Sequence, residues 1–363
     1  MSWVLWVLVF LTTTVVVRAE DDVYEFRMPG VRTVKDDQYL CYAEDFLNNR
    51  TYITGFEAIH DPEVTHHMIL FSCEEPGSAY RVWQCDGEGG SRPVCNKEPK
   101  IIFSWAKSAP NFKLPSEISL PVGGERYRYL VLQVHYKDYI AFENSPNKLD
   151  RSGFRITTAP EPTPNVAGIY LFASTQPVPA NSNSTLKMQC TYTGRATLHP
   201  FAFRVHAHSH GVMNEGNVIH DGRKYLIGKM SPQEPQTYYL TENKTLLVHP
   251  NDVLEAECHM VNKENREVPM GHTRQDEMCN FYMMYSVPWK DKDQLDSAEF
   301  QVCDDTKLKE KMDKLEREVK LTLGKDFEDE EEEKDKGDPF EELLPGSDFY
   351  GDRDFGLDTM GGY

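Results

Sequence analysis

Between residues 23 and 303 the hydrophobic positions come in short runs. "KIIFSWA", "YRYLVLQVHY", "GFRITT", "AGIYLFAS", "FAFRVHAHSH", "KTLLVH", "DVLEAECHMV" and "NFYMMYSV" are rich in β-branched and aromatic residues, and Pro, Gly and Asn separate them. Nothing in this body sustains a helical period. The pattern predicts an all-β fold: two tandem antiparallel β-sandwich domains of jelly-roll type with long loops. The proline-rich "TTAPEPTPN", residues 157 to 165, divides the body. The predicted domains are therefore residues 20–157 and 158–303.

Both ends of the chain differ in texture. "MSWVLWVLVFLTTTVVVRA" reads as a secretory signal over residues 1–19, with small residues around Val17-Arg18-Ala19 where a signal peptidase cuts. It is too short and too threonine-interrupted for a comfortable membrane span, and no later segment is long and apolar enough for one, so stable membrane insertion is not expected. After Cys303, "TKLKEKMDKLEREVKLTL" places Leu308, Met312, Leu315 and Val319 on one stripe, which predicts a short amphipathic helix. An acidic, disordered tail follows within residues 304–363. That stretch holds 21 acidic and 10 basic residues, a balance of −11 within a chain total of −19. The body is only mildly acidic. A charge of this sign argues against nucleic acid or an anionic membrane as partner.

The chain has eight cysteines, four before residue 96 and four after residue 189, and none in a CxxC pair. An even count behind a secretory signal implies disulfides, and each half can close its own. The triplets at Asn49, Asn183 and Asn243 are candidate glycosylation sites and agree with a secretory address.

Four clusters carry candidate chemistry. "FRVHAHSHG", residues 203 to 211, sets Arg204, His206, His208 and His210 at alternate positions, so an extended strand aims all four to one face. "THHMILFSC" has His66 next to His67, and a regular strand turns such neighbours to opposite faces. Both reach one metal only through a bulge or a strand end. "LQVHY" puts Gln133 and His135 on one face. In "DEMCNFYMMY", Met278, Asn280 and Tyr282 share a face while Cys279 points to the other. Imidazole suits copper, zinc and iron, and thioether sulfur favours copper. Two unlike copper sites, one of three His and one of two His and a Met, would permit one-electron steps at separate centres.

In this order, "HHMILFSC", "LQVHY", "FRVHAHSHG" and "DEMCNFYMMY" resemble the peptidylglycine α-hydroxylating members of the copper type II, ascorbate-dependent monooxygenases. The resemblance covers about residues 35 to 303. It implies two β-sandwich domains with one copper on each. His66, His67 and His135 match the ligands of the electron-storing copper. His206, His208 and Met278 match those of the catalytic, oxygen-binding copper. Arg204 would anchor the terminal carboxylate of a glycine-extended peptide, Tyr282 would support it, and Asn280 would bond the peptide backbone. O2 and ascorbate would hydroxylate the glycine α-carbon, the first step of C-terminal amidation in neuropeptide processing. The resemblance also implies the disulfides Cys41–Cys85, Cys73–Cys95, Cys190–Cys303 and Cys258–Cys279.

Some features depart from the pattern. A fifth disulfide usual in vertebrate relatives lacks its cysteines, and His210 falls outside the implied ligand sets. The acidic tail stands where many members carry a lyase domain, so a separate hydroxyglycine lyase is expected to finish amidation, or the last step to run slowly by itself. Two other readings share the copper motifs: a catecholamine-type β-monooxygenase, and a secreted copper-binding protein without turnover. Arg204 distinguishes the last, because storage needs no carboxylate anchor.

Overall fold

The computed structural model describes residues 22–45, 51–85, 91–97, 99–106, 109–124, 127–271, 273, 275–296 and 302–303. The predicted signal, Asn49, the amphipathic helix and the acidic tail lie outside the described residues.

The N-terminal half contributes β1 (Asp22–Arg27), β2 (Gln38–Asp45), β3 (Thr51–Ile59), β4 (Thr65–Cys73), β5 (Val82–Gln84), β6 (Lys100–Ala106), β7 (Phe112–Lys113), β8 (Ile118–Val122), β9 (Tyr129–Tyr136) and β10 (Gly153–Ala159). The C-terminal half contributes β11 (Asn165–Ala173), β12 (Ser182–Thr191), β13 (His199–Ala207), β14 (Gly211–His220), β15 (Arg223–Met230), β16 (Tyr239–Leu240), β17 (Val253–Asn262), β18 (Cys279–Pro288) and β19 (Val302–Cys303). A helical turn, Ile140–Glu143, and a 3-10 helix, Trp289–Asp296, complete the described elements. No described helix is long and apolar enough to cross a membrane.

The strands form three sheets, a ten-stranded one ordered β1-β10-β3-β8-β11-β18-β13-β16 with β7 and β19 beside it, a five-stranded β5-β2-β9-β4-β6, and a four-stranded β12-β17-β14-β15. The all-β expectation holds, and the structure adds a feature. The large sheet runs through both halves, because β8 pairs in parallel with β11 at Asn165 opposite Ile118 and Val166 opposite Ser119. The linker is thereby shortened to residues 160–164, and the ends of "TTAPEPTPN" are strand. "KTLLVH" does not form a strand. Asn243 Oδ1 accepts from the backbone N–H and hydroxyl of Thr245, which turns the chain there, and only Leu198 and Val248 pair as a bridge.

Alternation explains the layers. On β9, Leu130, Leu132, Val134 and Tyr136 enter the core between the N-terminal sheets with Phe26, Leu40, Met68, Leu70 and Phe154, while Gln133 and His135 face the other way. Behind the five-stranded sheet, Tyr39, Phe71, Trp83 and Val131 pack around the disulfides Cys41–Cys85 and Cys73–Cys95. In the C-terminal half Phe172, Phe203, Val205, Phe281 and Met283 meet Leu186, Met188, Leu254 and Ala256. Cys258–Cys279 ties the two layers there, and Cys190–Cys303 ties β12 to β19. These are the four pairs that the resemblance implies.

Candidate metal centres

His67 on β4 lies opposite His135 on β9, and the register slips between Thr65 and His67, so His66 is the extra residue of a bulge. The bulge turns His66 back beside its neighbour. The three Nδ1 atoms then form a triangle: His66 to His135 at 3.2 Å, His67 to His66 at 3.4 Å and His135 to His67 at 3.4 Å. Among the described residues these three are the group of His, Cys, Asp or Glu side chains whose ligand atoms converge on one ion. His135 is buried, and its Nε2–H donates to Asp37 Oδ1 at 3.2 Å. A carboxylate oxygen accepts, which leaves the His135 Nδ1 lone pair aimed at the other rings. Tyr39 stacks flat on His135, centroids 4.1 Å apart. Burial, reinforced by His135 and His66, holds His67 well below the usual imidazole range, so its ring is neutral. Gln133 shares the face of His135, but its amide packs on the Cys85 sulfur, 3.8 Å away.

The second cluster sits on the outer face of the large sheet. Arg204 lies opposite Tyr282 and His206 opposite Asn280 across β13 and β18, so all four share one patch. β13 ends at Ala207, so the alternation expected through His210 stops. Gly211 allows the close turn that follows: a Cβ there would stand 2.4 Å from that of Ala207. His208 remains at the site, its ring 5.4 Å from that of His206. His210 turns to two carboxylates, Glu277 at 3.0 Å and Glu264 at 3.2 Å.

Each ligand candidate here is oriented by its other nitrogen. Gln236 Nε2 donates to Ala207 O and Pro232 O, so its Oε1 must accept from His206 Nδ1–H at 2.7 Å. His206 Nε2 is therefore a lone pair, and it faces Met278 Sδ at 3.2 Å. His208 Nδ1–H donates to the Asp276 carbonyl at 2.8 Å, which frees its Nε2. The fully buried Glu277 carboxylate accepts backbone N–H groups from His208, His210 (2.9 Å) and Met278 (2.7 Å), and so pins the loop that carries the sulfur. Asn214 donates to the carbonyls of His206 and Asn280 from behind. The clusters of the two halves meet: the rings of His67 and His206 are 6.5 Å apart.

Comparison with known proteins follows the same division into halves. The family model described as the N-terminal domain of copper type II ascorbate-dependent monooxygenases matches residues 24–142, and that of the C-terminal domain matches residues 165–316. The chain belongs to the copper type II, ascorbate-dependent monooxygenases. It is 37% identical over 272 residues to peptidyl-glycine alpha-amidating monooxygenase B of Xenopus laevis, covering 74% of this chain and 30% of that protein. It is 35% identical over 277 residues to the Rattus norvegicus peptidylglycine alpha-amidating monooxygenase, covering 75% and 28%. Dopamine beta-hydroxylase of Canis lupus familiaris is 26% identical over 275 residues, covering 68% and 42%. The chain thus spans less than a third of the length of the amidating relatives.

The donor sets of this family member fit the family's metal. Three imidazole nitrogens converge within 3.2–3.4 Å of one another, an all-imidazole donor set that suits copper. A thioether beside an imidazole lone pair suits copper in either oxidation state. Arg204 is 4% exposed, donates from Nε to Gln236 O at 3.0 Å and lies over the Tyr282 ring. Among the described residues no carboxylate pairs with it. Sequence reasoning did not find Asp37, Tyr39, Asn214, Gln236 or Glu277. Only Glu277, adjoining Met278, had a local signal. Asp37, Tyr39 and Gln236 are remote in sequence from the rings they serve, and Asn214 reaches the carbonyls of His206 and Asn280 from a different strand.

Proposed function

We propose that this chain hydroxylates the α-carbon of the C-terminal glycine of glycine-extended peptides. The observation that carries the proposal is Arg204, a buried guanidinium on the strand face of His206 with no carboxylate partner among the described residues. A buried charge needs a partner, and a peptide's terminal carboxylate supplies one. The same charge disfavours a cationic catecholamine, and a copper store has no use for it.

When bound, copper at His66, His67 and His135 and at His206, His208 and Met278 supplies one-electron chemistry toward dioxygen, with electrons drawn from ascorbate. Arg204 holds the carboxylate and Tyr282 supports it. Asn280, opposite His206 on the neighbouring strand, bonds the peptide backbone and so sets the glycine beside the imidazole lone pair. Gln236 and Asp276 keep His206 and His208 in the tautomers that face the metal. In the net reaction the glycine C–H becomes C–OH, the second oxygen atom leaves as water, and ascorbate gives two electrons. The product must pass to a lyase that cleaves the C–N bond to amide and glyoxylate, and the disulfides suit a secretory compartment.

Arg204→Gln tests the binding half. Loss of a charge-assisted pair should lower kcat/KM by roughly 2–4 kcal/mol, on the order of 30- to 1,000-fold, mainly through KM. Copper content should stay at two per chain. A variant that processes glycine-extended peptide as well as wild type would place the carboxylate anchor elsewhere.

A further inference from the structure

We infer that the buried Asp150–Ser152 pair is a positioning element for the three-histidine centre, acting through Thr65 to set the bulge that carries His66. The inference rests on the reading of His66, His67 and His135 as copper ligands and deepens it. In a regular strand Thr65 and His67 would share a face, and His66 would point the other way. Here Thr65 lies opposite Tyr136 and His67 opposite His135, and those two are neighbours that face opposite sides of β9. Thr65 is therefore turned into the core while His67 faces outward, and His66 absorbs the difference. A bulge interrupts the ladder, so something must hold the strand against a return to plain alternation. With His67 kept outward, that return would turn His66 into the core and away from the other two rings.

The hold is a chain of buried hydrogen bonds on the inner side of the sheet. Thr65, Tyr136, Asp150 and Ser152 are all buried. Ser152 donates its hydroxyl to Asp150 Oδ1 at 2.6 Å and its N–H to Oδ2 at 3.1 Å. With that hydroxyl proton committed, Ser152 Oγ accepts from the Thr65 hydroxyl at 2.7 Å and from the Asp61 N–H at 3.1 Å. Tyr136 donates its phenol proton to Asp150 Oδ2 at 2.7 Å. One carboxylate thus ties the residue before His66 to the residue after His135. Asp150 is itself fixed, because its N–H and carbonyl pair with Val31 at 2.7 and 3.0 Å. The Thr65 N–H donates to Asp61 O at 2.9 Å, and Lys148 holds the Asp61 carboxylate at 2.8 Å. A Thr65 turned outward would give up its buried bond and leave a void beside Tyr136, so the inward position is favoured.

The test is copper binding by wild type, Thr65→Val, Thr65→Ser, Ser152→Ala and His66→Ala. It is read by equilibrium dialysis against buffered copper with metal analysis, and by X-ray absorption of the Cu(I) forms. Thr65→Val keeps the shape and removes only the hydroxyl, while Ser152 stays bonded to Asp150 and Asp61. One copper should then bind about 10-fold or more weakly. The copper–sulfur signal of the methionine centre should be retained. Ser152→Ala should show the same selective loss, and Thr65→Ser, which keeps the hydroxyl, should match wild type. If Thr65→Val and Ser152→Ala both bind two coppers as tightly as wild type while His66→Ala loses one, the positioning assignment fails and the copper reading stands. If His66→Ala also keeps both coppers at wild-type affinity, the three-histidine centre and the inference fall together. Weakening of both coppers alike, or a Thr65→Ser variant as impaired as Thr65→Val, would show a general structural role and overturn the assignment.

Discussion

Met278 has two neighbours that hold it in place. Its own N–H is bound by Glu277, and its sulfur faces the lone pair of His206 at 3.2 Å. Replacing the side chain by Ile keeps the volume and removes the sulfur. Met278→Ile should therefore keep native circular dichroism and all four disulfides but lose hydroxylation. Peptide turnover beside wild type is the check, and an active variant would remove the sulfur from the ligand set. At this scale much of the site was legible. The alternate spacing of Arg204, His206 and His208, and the shared face of Asn280 and Tyr282, follow from strand geometry. Gln236 was not legible, because it lies 30 residues from His206 along the chain and meets it only through a loop that no periodicity marks.

Elements act through their ends and irregularities. The bulge in β4 lets adjacent histidines serve one centre, and the end of β13 at Ala207 takes His210 away from the other. A third strand end carries a titrating clip. His220 closes β14, and its Nδ1 lies 2.6 Å from Asp252 Oδ1 just before β17, with Asp221 and the His249 ring nearby. The hydrogen bond to Asp252 raises the His220 pKa above the usual 6.5. Because the folded value is the higher one, the contribution to stability is fully present below about pH 6.5 and is lost as pH rises through the raised value. His220→Gln should thus lower the urea midpoint at pH 5.5 and leave it near wild type at pH 9, on copper-free protein. An equal loss at both pH values would show that the clip does not titrate.

The two halves share a sheet and a core. β8 pairs with β11, and Phe103 and Phe112 of the first half pack with Phe201, Tyr238, Tyr282 and Met284 of the second in one cluster. Interfaces between independent domains are usually more polar and looser. We expect calorimetry of the copper-free chain to give one cooperative transition with matching calorimetric and van't Hoff enthalpies. Two resolved transitions would mean that each sandwich unfolds alone. The same seam brings His67 within 6.5 Å of His206, although the two lie 139 positions apart in the chain.

The strand character of the body, the histidine and methionine face patterns and the need for a bulge or a strand end at His66 and His67 were all determined by sequence alone. Each is local, a matter of side chains that alternate every two residues. Tertiary structure decided the rest. Asp37 on His135, Gln236 on His206 and Glu277 under the His208 loop fix which nitrogen of each ring carries the proton or where its backbone lies. The joining of two predicted sandwiches through β8 and β11, and the burial of Arg204 with no carboxylate partner among the described residues, likewise required the fold. These depend on which faces the chain brings together. Burial removes the water that would otherwise satisfy those groups, so only packing reveals which have partners and which await a ligand.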